Sequence, residues 1–491
     1  MELNYKALIK ASGVVFTMLG IVMIIPFVVS LVYHEYHVGF AFLKTLVCLL
    51  IPGILILWKV KPVYSTLKIR DGLLIVALSW VLTAFIGAIP YLLSGAVPNL
   101  IDAFFESTSG FTTTGATLFT DVSLLPYTLV FWRSFTHWLG GLGILIFAIS
   151  ILPSLGIGGQ KIIRGETPVP TLEKAELRLS DSAKILYLVY ILFTILAIFF
   201  LKLGGLNFFD TITHAFSSMG TGGLFNYANG VAQFDTVYVQ MVMTVFSLLA
   251  SINFVMYHHL IHGHWRDCFE DAEFKAFFII LGSVILLLTL NLWINGTYES
   301  LATAFKHSFF QTSAFMSTAS YASADYTLWP TFCQMLLFIL LFIGGCSAST
   351  CGSIKVIRVL VFIKLIARGL NKRLHPTAVV SVKISGKTIS AERISTTTNF
   401  LLLYFAIFVI SVIIISLDNL DMTTTISASA AILSNTGMGM GLIGPSGSFE
   451  IFSAPIRLYL SFLMLVGRLE LFAIIVLLTP SFWNPAKKIH L

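Results

Sequence analysis

Four short polar stretches hold the residues of this chain whose types and spacing could do chemistry. The first, Ser107 to Thr117, reads Ser-Thr-Ser-Gly-Phe-Thr-Thr-Thr-Gly-Ala-Thr and lies between two apolar segments long enough to cross a membrane. Non-helical backbone at membrane depth is tolerated only inside protein or against water, so a glycine among threonines points either to a cation-coordinating loop or to close helix packing. Recurrence separates the two readings. Related stretches follow near 217–224, 312–323 and 434–441. With the loop glycine as fiducial they register at Gly115, Gly222, Ser320 and Gly437, in steps of 107, 98 and 117 residues. The central triplets are then Thr113-Thr114-Gly115, Gly220-Thr221-Gly222, Thr318-Ala319-Ser320 and Asn435-Thr436-Gly437. Upstream, Phe105-Glu106-Ser107-Thr108 matches Phe310-Gln311-Thr312-Ser313.

Four such loops around one axis have a definite use. A dehydrated alkali cation needs oxygens in place of its water shell, and stacked rings of backbone carbonyls supply them. Turning successive carbonyls to one side demands backbone conformations that a Cβ penalises by about 1–2 kcal/mol, which is what glycine is for. Threonine can add a hydroxyl oxygen at the inner end. A short helix before each loop would aim its negative end at the ion, and Asp102, Asp210 and Asp421 near the predicted helix starts favour that polarity.

The elements that must position these loops are membrane helices. The chain has 491 residues, 57% hydrophobic and 11% charged, with a mean hydropathy of +0.91, which excludes a soluble globular domain. The first apolar run, Leu8–Val32, is too long for a signal-peptide core and is expected to stay as a helix. Spans are predicted at 8–32, 39–58, 73–93, 124–152, 185–203, 234–260, 274–294, 328 to beyond Gly344, 399–417 and 455–478. That gives ten transmembrane helices plus four re-entrant pore helices, an all-α membrane protein. All but six of the 30 Lys and Arg residues then fall on one side, as the positive-inside rule asks, and both termini are cytoplasmic. Each unit crosses twice, so the four copies run parallel, unlike inverted-repeat transporters. The expected domains are a hairpin at 1–66, repeat 1 at 67–180 with a filter near 112–117, repeat 2 at 181–270 (219–224), repeat 3 at 271–390 (317–322) and repeat 4 at 391–491 (435–440).

Four motifs carry a family resemblance: Phe-Thr-Thr-Thr-Gly-Ala at 111–116, Trp-Arg-Ser-Phe-Thr-His-Trp-Leu-Gly-Gly at 132–141, Gly-Gly-Cys-Ser-Ala-Ser-Thr-Cys-Gly-Ser-Ile-Lys at 344–355, and Gly-Arg-Leu-Glu at 467–470. Together they resemble the TrkH family, the potassium-translocating subunits of bacterial Trk systems within the Trk/Ktr/HKT superfamily, over essentially the whole chain. The resemblance implies potassium transport in the cell inner membrane and a homodimer with one pore per subunit. It implies a cytosolic TrkA-like ring that binds the nucleotide, ATP/ADP or NAD, with no covalent cofactor and no nucleic acid partner. It further implies that 344–353 is an intramembrane gate loop under the filter, with Gly344, Gly345, Ser347, Ser349 and Gly352 in it. The sequence separately supports an interruption there, since this run makes a poor lipid-facing helix. Arg468 lies near the middle of the last apolar span, where an unpaired arginine costs several kcal/mol, so it is either functional or paired, for example with Glu470. In similar proteins the matching arginine is a barrier below the filter.

For Arg133 and His137 a packing or interfacial role competes with a pore role. His258, His259, His262 and His264 read as a helix end entering the cytoplasm rather than a metal site, and the five cysteines have no CxxC spacing. Asn295-Gly296-Thr297 matches a glycosylation sequon that a bacterial protein leaves unused. Ser320 replaces the usual glycine and follows Ala319, so its Cβ should strain the loop or turn a carbonyl away, giving weaker discrimination of potassium from sodium. Asn435 and Gly220 stand where threonine would complete an inner hydroxyl ring. An ion-coupled symporter with alternating access, driven by protons or sodium, is the competing class; an enzyme is not expected, because no span carries a paired Asp, a Ser/His arrangement or a metal cluster.

Overall fold

A computed structural model of the chain describes residues 3–61, 68–141, 143, 179–227, 233, 236–377 and 380–484. Residues 156–178 of the predicted cytoplasmic segment, the predicted fourth span beyond 143, and Lys487 and Lys488 lie outside the described residues. The described chain is mostly helical, with a short hairpin pairing Lys383–Ile384 with Lys387–Thr388.

An N-terminal pair opens the molecule. Helices α1 (Tyr5–Val22) and α2 (Ile24–Val32) turn back through α3 (Tyr36–Lys59). Small residues bring α1 and α3 close. A Cβ on Gly13 would meet the Ile56 side chain at 2.6 Å, and one on Gly53 would meet Thr17 at 2.5 Å. The turn between α2 and α3 docks on the body through Glu35, whose carboxylate accepts the backbone N–H of Tyr127 (2.7 Å) and Thr128 (2.9 Å) at the start of α6 (Tyr127–Gly141). A carboxylate at a helix N-terminus is the favoured polarity.

Four helix pairs follow, each enclosing a short helix and a polar loop. The outer helices that lead in are α4 (Ile69–Leu93), α7 (Leu179–Leu203), α11 (Ala272–Ile294) and α15 (Ala391–Ile415). The short helices are α5 (Leu100–Phe111), α8 (Phe208–Met219), α12 (Leu301–Met316) and α16 (Met422–Leu433). Each short helix begins on a side-chain cap, from Asn99, Asn207, Ser300 and Asp421 in turn, which satisfies one orphan donor of its first turn. Asp102 and Asp210 lie in the first turn of α5 and α8, and Asp421 caps α16, as expected for helices whose negative ends face inward.

Several of the helices that lead out are not continuous. Among the described residues six stretches are long and apolar enough to span: Tyr5–Val32, Tyr36–Lys59, Arg70–Leu93, Leu186–Leu203, Ala272–Ile294 and Ala391–Asp418. The second helix of three units is broken. Helix α9 (Val237–Ser251) bends by 92° into α10 (Phe254–Ile261), and α13 (Thr331–Leu340) gives way to a non-helical loop before α14 (Val356–Leu374). Helix α17 (Ala454–Arg468) turns by 115° into the segment from Phe472 to Leu478. The breaks have local causes. Asn253 caps α10 by accepting from Val255 N at 2.9 Å, and Glu470 and Leu471 take φ of +53° and +65°. A hydropathy window counts apolar residues and does not see these stops.

Candidate functional site

The four short helices end alike. In each, the residue after the C-cap lies in the left-handed region: Thr113 (φ +55°), Thr221 (+52°), Thr318 (+54°) and Asn435 (+54°). Its N–H and that of the next residue bond back to the last turn, as in Thr113 N to Gly110 O (3.1 Å) with Thr114 N to Ser109 O (3.0 Å), and Thr318 N to Phe315 O (3.1 Å) with Ala319 N to Ala314 O (2.8 Å). This is the Schellman ending, normally a glycine's place. Three β-branched threonines there each cost about 1–2 kcal/mol, and strain of this kind persists where surrounding structure imposes it, often at functional sites.

Two residues on, the chain turns left-handed again at Gly115 (φ +77°), Gly223 (+70°) and Gly437 (+71°), while Ser320 stays out of the positive region. The second loop is therefore registered one residue later than the sequence reading: Gly223, not Gly222, matches Gly115 and Gly437. Gly220 becomes the C-cap of α8, and Thr221 takes the inner position that the sequence register left to Gly220. Asn435 alone then departs from threonine. The glycine-rich run Gly220-Thr221-Gly222-Gly223 allowed either register; only the backbone conformation decides it.

The loops meet tightly. A Cβ on Gly115 would lie 1.9 Å from the Gly222 carbonyl oxygen, and one on Gly437 would lie 2.0 Å from that of Thr114. Glycine is thus required by close approach as well as by φ. Ser320 closes a three-residue turn, with Tyr321 N bonded to Ala319 O at 2.8 Å, and sends its hydroxyl among the carbonyls, 2.5 Å from Thr114 O and hydrogen-bonded also to Thr436 O. Its Cβ neither strains the loop into the left-handed region nor leaves the axis free. A cavity of about 270 Å³ opens above, touching Gly115, Gly223, Ser320 and Gly437 together.

Behind the first loop lies a buried ion pair. Glu106 Oε2 is 3.4 Å from Arg133 Nε, Thr117 Oγ1 donates to Glu106 Oε1 (2.8 Å), and Arg133 Nη2 donates to Thr117 Oγ1 (2.7 Å). Leu118 N also donates to Glu106 Oε1, at 2.5 Å. Arg133 thus braces the outer limb of the first loop. His137, fully buried, backs the second, since a Cβ on Gly222 would run into its ring. His137 resolves toward packing, while Arg133, though buried, also borders the cavity above the loops. Asn435 ties the fourth loop to the first, its amide donating to Thr114 Oγ1 and Met464 O, each at 2.9 Å.

Below the loops, residues 344–353 form a non-helical excursion whose tip touches them. Gly352 N donates to Thr318 Oγ1 (3.0 Å), Thr221 Oγ1 donates to Thr350 Oγ1 (3.3 Å), and a Cβ on Gly352 would meet the Ser434 carbonyl at 2.2 Å. The excursion rests on the break between α9 and α10, with Cys346 N on Ser251 O (2.8 Å) and Thr350 N on Ala250 O (3.2 Å). Ser349 Oγ donates to Cys346 O (2.6 Å), and Gly345 packs against Cys351. Arg468 reaches in from the end of α17. Its Nη1 donates to Thr350 O (2.8 Å), and its Nη2 to Gly141 O (3.0 Å) and Gly140 O. Glu470 is bound elsewhere, to Arg358 at 2.5 Å. Thr350, Gly223 and the Glu106–Arg133 pair went unmarked in the sequence, although Glu106 had appeared in the repeat match with Gln311.

Among the described residues no group of three or more His, Cys, Asp or Glu side chains could hold a metal, and all five cysteines are free. The rings of His258 and His262 lie tilted with centroids 4.1 Å apart at the end of α10.

A family model described as TrkH, cation transport protein, matches residues 38–484. The chain is 34% identical over 490 residues to the Trk system potassium uptake protein TrkH of Salmonella typhimurium, covering 98% of this chain and 100% of that one. It is 33% identical over 465 residues to the Trk system potassium uptake protein TrkG of Escherichia coli, covering 94% and 95%. The crystal structure of the potassium transporter TrkH from Vibrio parahaemolyticus matches with a TM-score of 0.87 at 33% identity, covering 98% of this chain and 100% of that one. With helices to span a membrane and a match along nearly its full length, this chain is a multi-pass membrane protein and belongs to the TrkH family of cation transport proteins.

Proposed function

We propose that this chain carries potassium inward across the cell inner membrane, with both termini cytoplasmic, through a pore between the four polar loops. Potassium is the cargo. In this reading the filter is Thr113, Thr114 and Gly115; Gly220, Thr221 and Gly222, continued to Gly223; Thr318, Ala319 and Ser320; and Asn435, Thr436 and Gly437. Carbonyls of Thr114, Gly222, Ala319 and Thr436 would replace the water shell, with the strained Thr113, Thr221 and Thr318 at the inner end. The relatives' names, potassium uptake proteins of Trk systems, support the ion.

The observation that carries the gating part is the contact between the 344–353 tip and the inner hydroxyls of Thr221 and Thr318. A loop held there stands in the path of an ion leaving the filter. Gly344, Gly345 and Gly352 permit its close packing, Ser347 and Ser349 bind its backbone and supports, and Arg468 adds positive charge at the same level. A TrkA-like cytosolic ring, holding the nucleotide, would move this loop, and the subunits would pair as a homodimer. Alternating access is not favoured, because the loops converge on one axis and leave no site between inverted halves.

The test is flux through purified protein in liposomes. Potassium should move down its own gradient at a rate indifferent to an imposed proton or sodium gradient, in single-channel steps. Uptake that requires either gradient would replace the pore with a symporter.

A further inference from the structure

The excursion at 344–353 is fixed at its neck as well as at its tip, and one carboxylate does most of the fixing. The backbone closes the neck through Gly344 N to Ile354 O (3.0 Å) and Val356 N to Gly345 O (3.2 Å). Across it, from α11, reaches Glu273, which is 5% exposed. Its Oε1 accepts Ser347 N at 2.8 Å, Ser347 Oγ at 3.0 Å and Ile357 N at 3.1 Å. Ser347 lies on the arm entering the excursion. Ile357 lies in the first turn of α14, which leaves it.

We propose that Glu273 is the positioning residue that pins both arms of the intramembrane loop beneath the filter; this rests on reading that loop as the gate. Two features single it out. Ile357 N–H is one of the orphan donors of a helix start, so the carboxylate caps α14 in trans and meets the favourable end of its dipole. One oxygen serves both arms, so the arms cannot part without breaking charge-assisted bonds, and their donors would then be left buried and unpaired. Lys355, the residue before α14, is committed to the loop itself, its Nζ donating to Cys351 O at 2.5 Å.

Glu273 also stands where the excursion meets the rest of the chain. The same end of α11 is capped by Asp271, which accepts Phe274 N at 2.9 Å, and Ala272 N donates to Ser385 Oγ (3.0 Å) in the turn of the β-hairpin. Lys364 of α14 donates to Lys383 O in that hairpin at 2.5 Å. Hairpin, α11 and α14 thus form one knot around the neck. Displacing the knot from outside would load the Glu273 bonds before it reached the tip.

Native thiols report the loop directly, since Cys346 and Cys351 are buried on it while Cys333 is buried elsewhere. Full-length protein in liposomes, in a Cys48→Ser, Cys268→Ala background, is labelled with a methanethiosulfonate reagent and assayed for potassium flux, with and without Glu273→Gln or Glu273→Ala. Labelling at Cys346 and Cys351 should accelerate by roughly tenfold or more in Glu273→Ala and less in Glu273→Gln, which keeps one acceptor, while Cys333 stays protected. Basal flux should rise in the same order with an unchanged potassium-to-sodium ratio. Ser347→Ala should act in the same direction and combine less than additively with Glu273→Gln, because the two share a bond. Unchanged loop labelling in folded variants overturns the proposal, as does an equal rise at Cys333. Faster loop labelling with unaltered flux keeps Glu273 as the anchor and overturns the loop as gate.

Discussion

Replacing Ser320 with glycine should sharpen discrimination between potassium and sodium. The Ser320 hydroxyl lies 2.5 Å from Thr114 O and is also bonded to Thr436 O, where a permeating cation would need those oxygens. A Cβ on Gly115 or on Gly437 would fall 2.6 Å from that hydroxyl, so it stands at the centre of the converging loops. A potassium ion must break the hydroxyl's hydrogen bond to enter. At about 1 kcal/mol for such a bond this is a factor of about five, and the smaller sodium ion is less affected by a narrowed ring. Ser320→Gly removes the hydroxyl and frees residue 320 for the left-handed φ of Gly115, Gly223 and Gly437. The permeability ratio should rise about fivefold, which appears as a shift of roughly 40 mV in reversal potential under opposed potassium and sodium gradients. Ser320→Ala separates the two causes, since it loses the hydroxyl and keeps the Cβ. An unchanged ratio in correctly folded Ser320→Gly would refute the reasoning.

Arg468→Ala should raise flux, because a like charge beside the 344–353 loop repels a passing cation, by up to about 4 kcal/mol at close range and an effective dielectric near 20; a wild-type rate in folded protein would return Arg468 to a purely structural role. Glu106→Gln should lower the melting temperature of detergent-solubilised protein, since stranding the buried Arg133 charge costs about 3–5 kcal/mol, and adding Arg133→Gln should restore much of the loss. Gly53→Leu should also lower thermal stability by forcing α1 from α3, yet leave ion preference untouched, which a side-by-side melting and flux measurement will check.

The helical fold, the four polar loops and the polarity of the short helices were legible because they rest on hydropathy, spacing and capping residues. Asn99, Asn207, Ser300 and Asp421 announce their helix starts without help from tertiary structure. Breaks in the outgoing helices were legible only where polar residues accumulate, as at 344–353. Around Leu469–Leu471 the charged residues Arg468 and Glu470 are visible in the sequence, but the stop itself is made by left-handed backbone at Glu470 and Leu471, which no residue type there announces. The register of the second loop failed for a related reason: adjacent glycines carry no information about which one turns left-handed. Long-range pairings such as Glu273 with Ser347, 74 positions apart, leave no local signal at all. One signal was available and went unread, the match of Asp121-Val-Ser-Leu-Leu-Pro126 with Asp325-Tyr-Thr-Leu-Trp-Pro330. In each the aspartate accepts from the backbone N–H two residues on, Ser123 at 2.9 Å and Thr327 at 3.0 Å, and so shapes the descent from the loop.

Because the four loops belong to one chain, they need not be copies. Among the described residues the space beneath them holds one excursion, and it fits closely: a Cβ on Gly352 would already collide with the Ser434 carbonyl at 2.2 Å. Four identical subunits would each carry that insertion, and four tips cannot share the place that one fills. Covalent linkage lets one quarter carry the excursion, another supply Arg468 and a third lend the broken helix on which the excursion rests. The quarters therefore need not be equivalent, and in the pore reading proposed above a single loop held beneath four would suffice to interrupt the pathway.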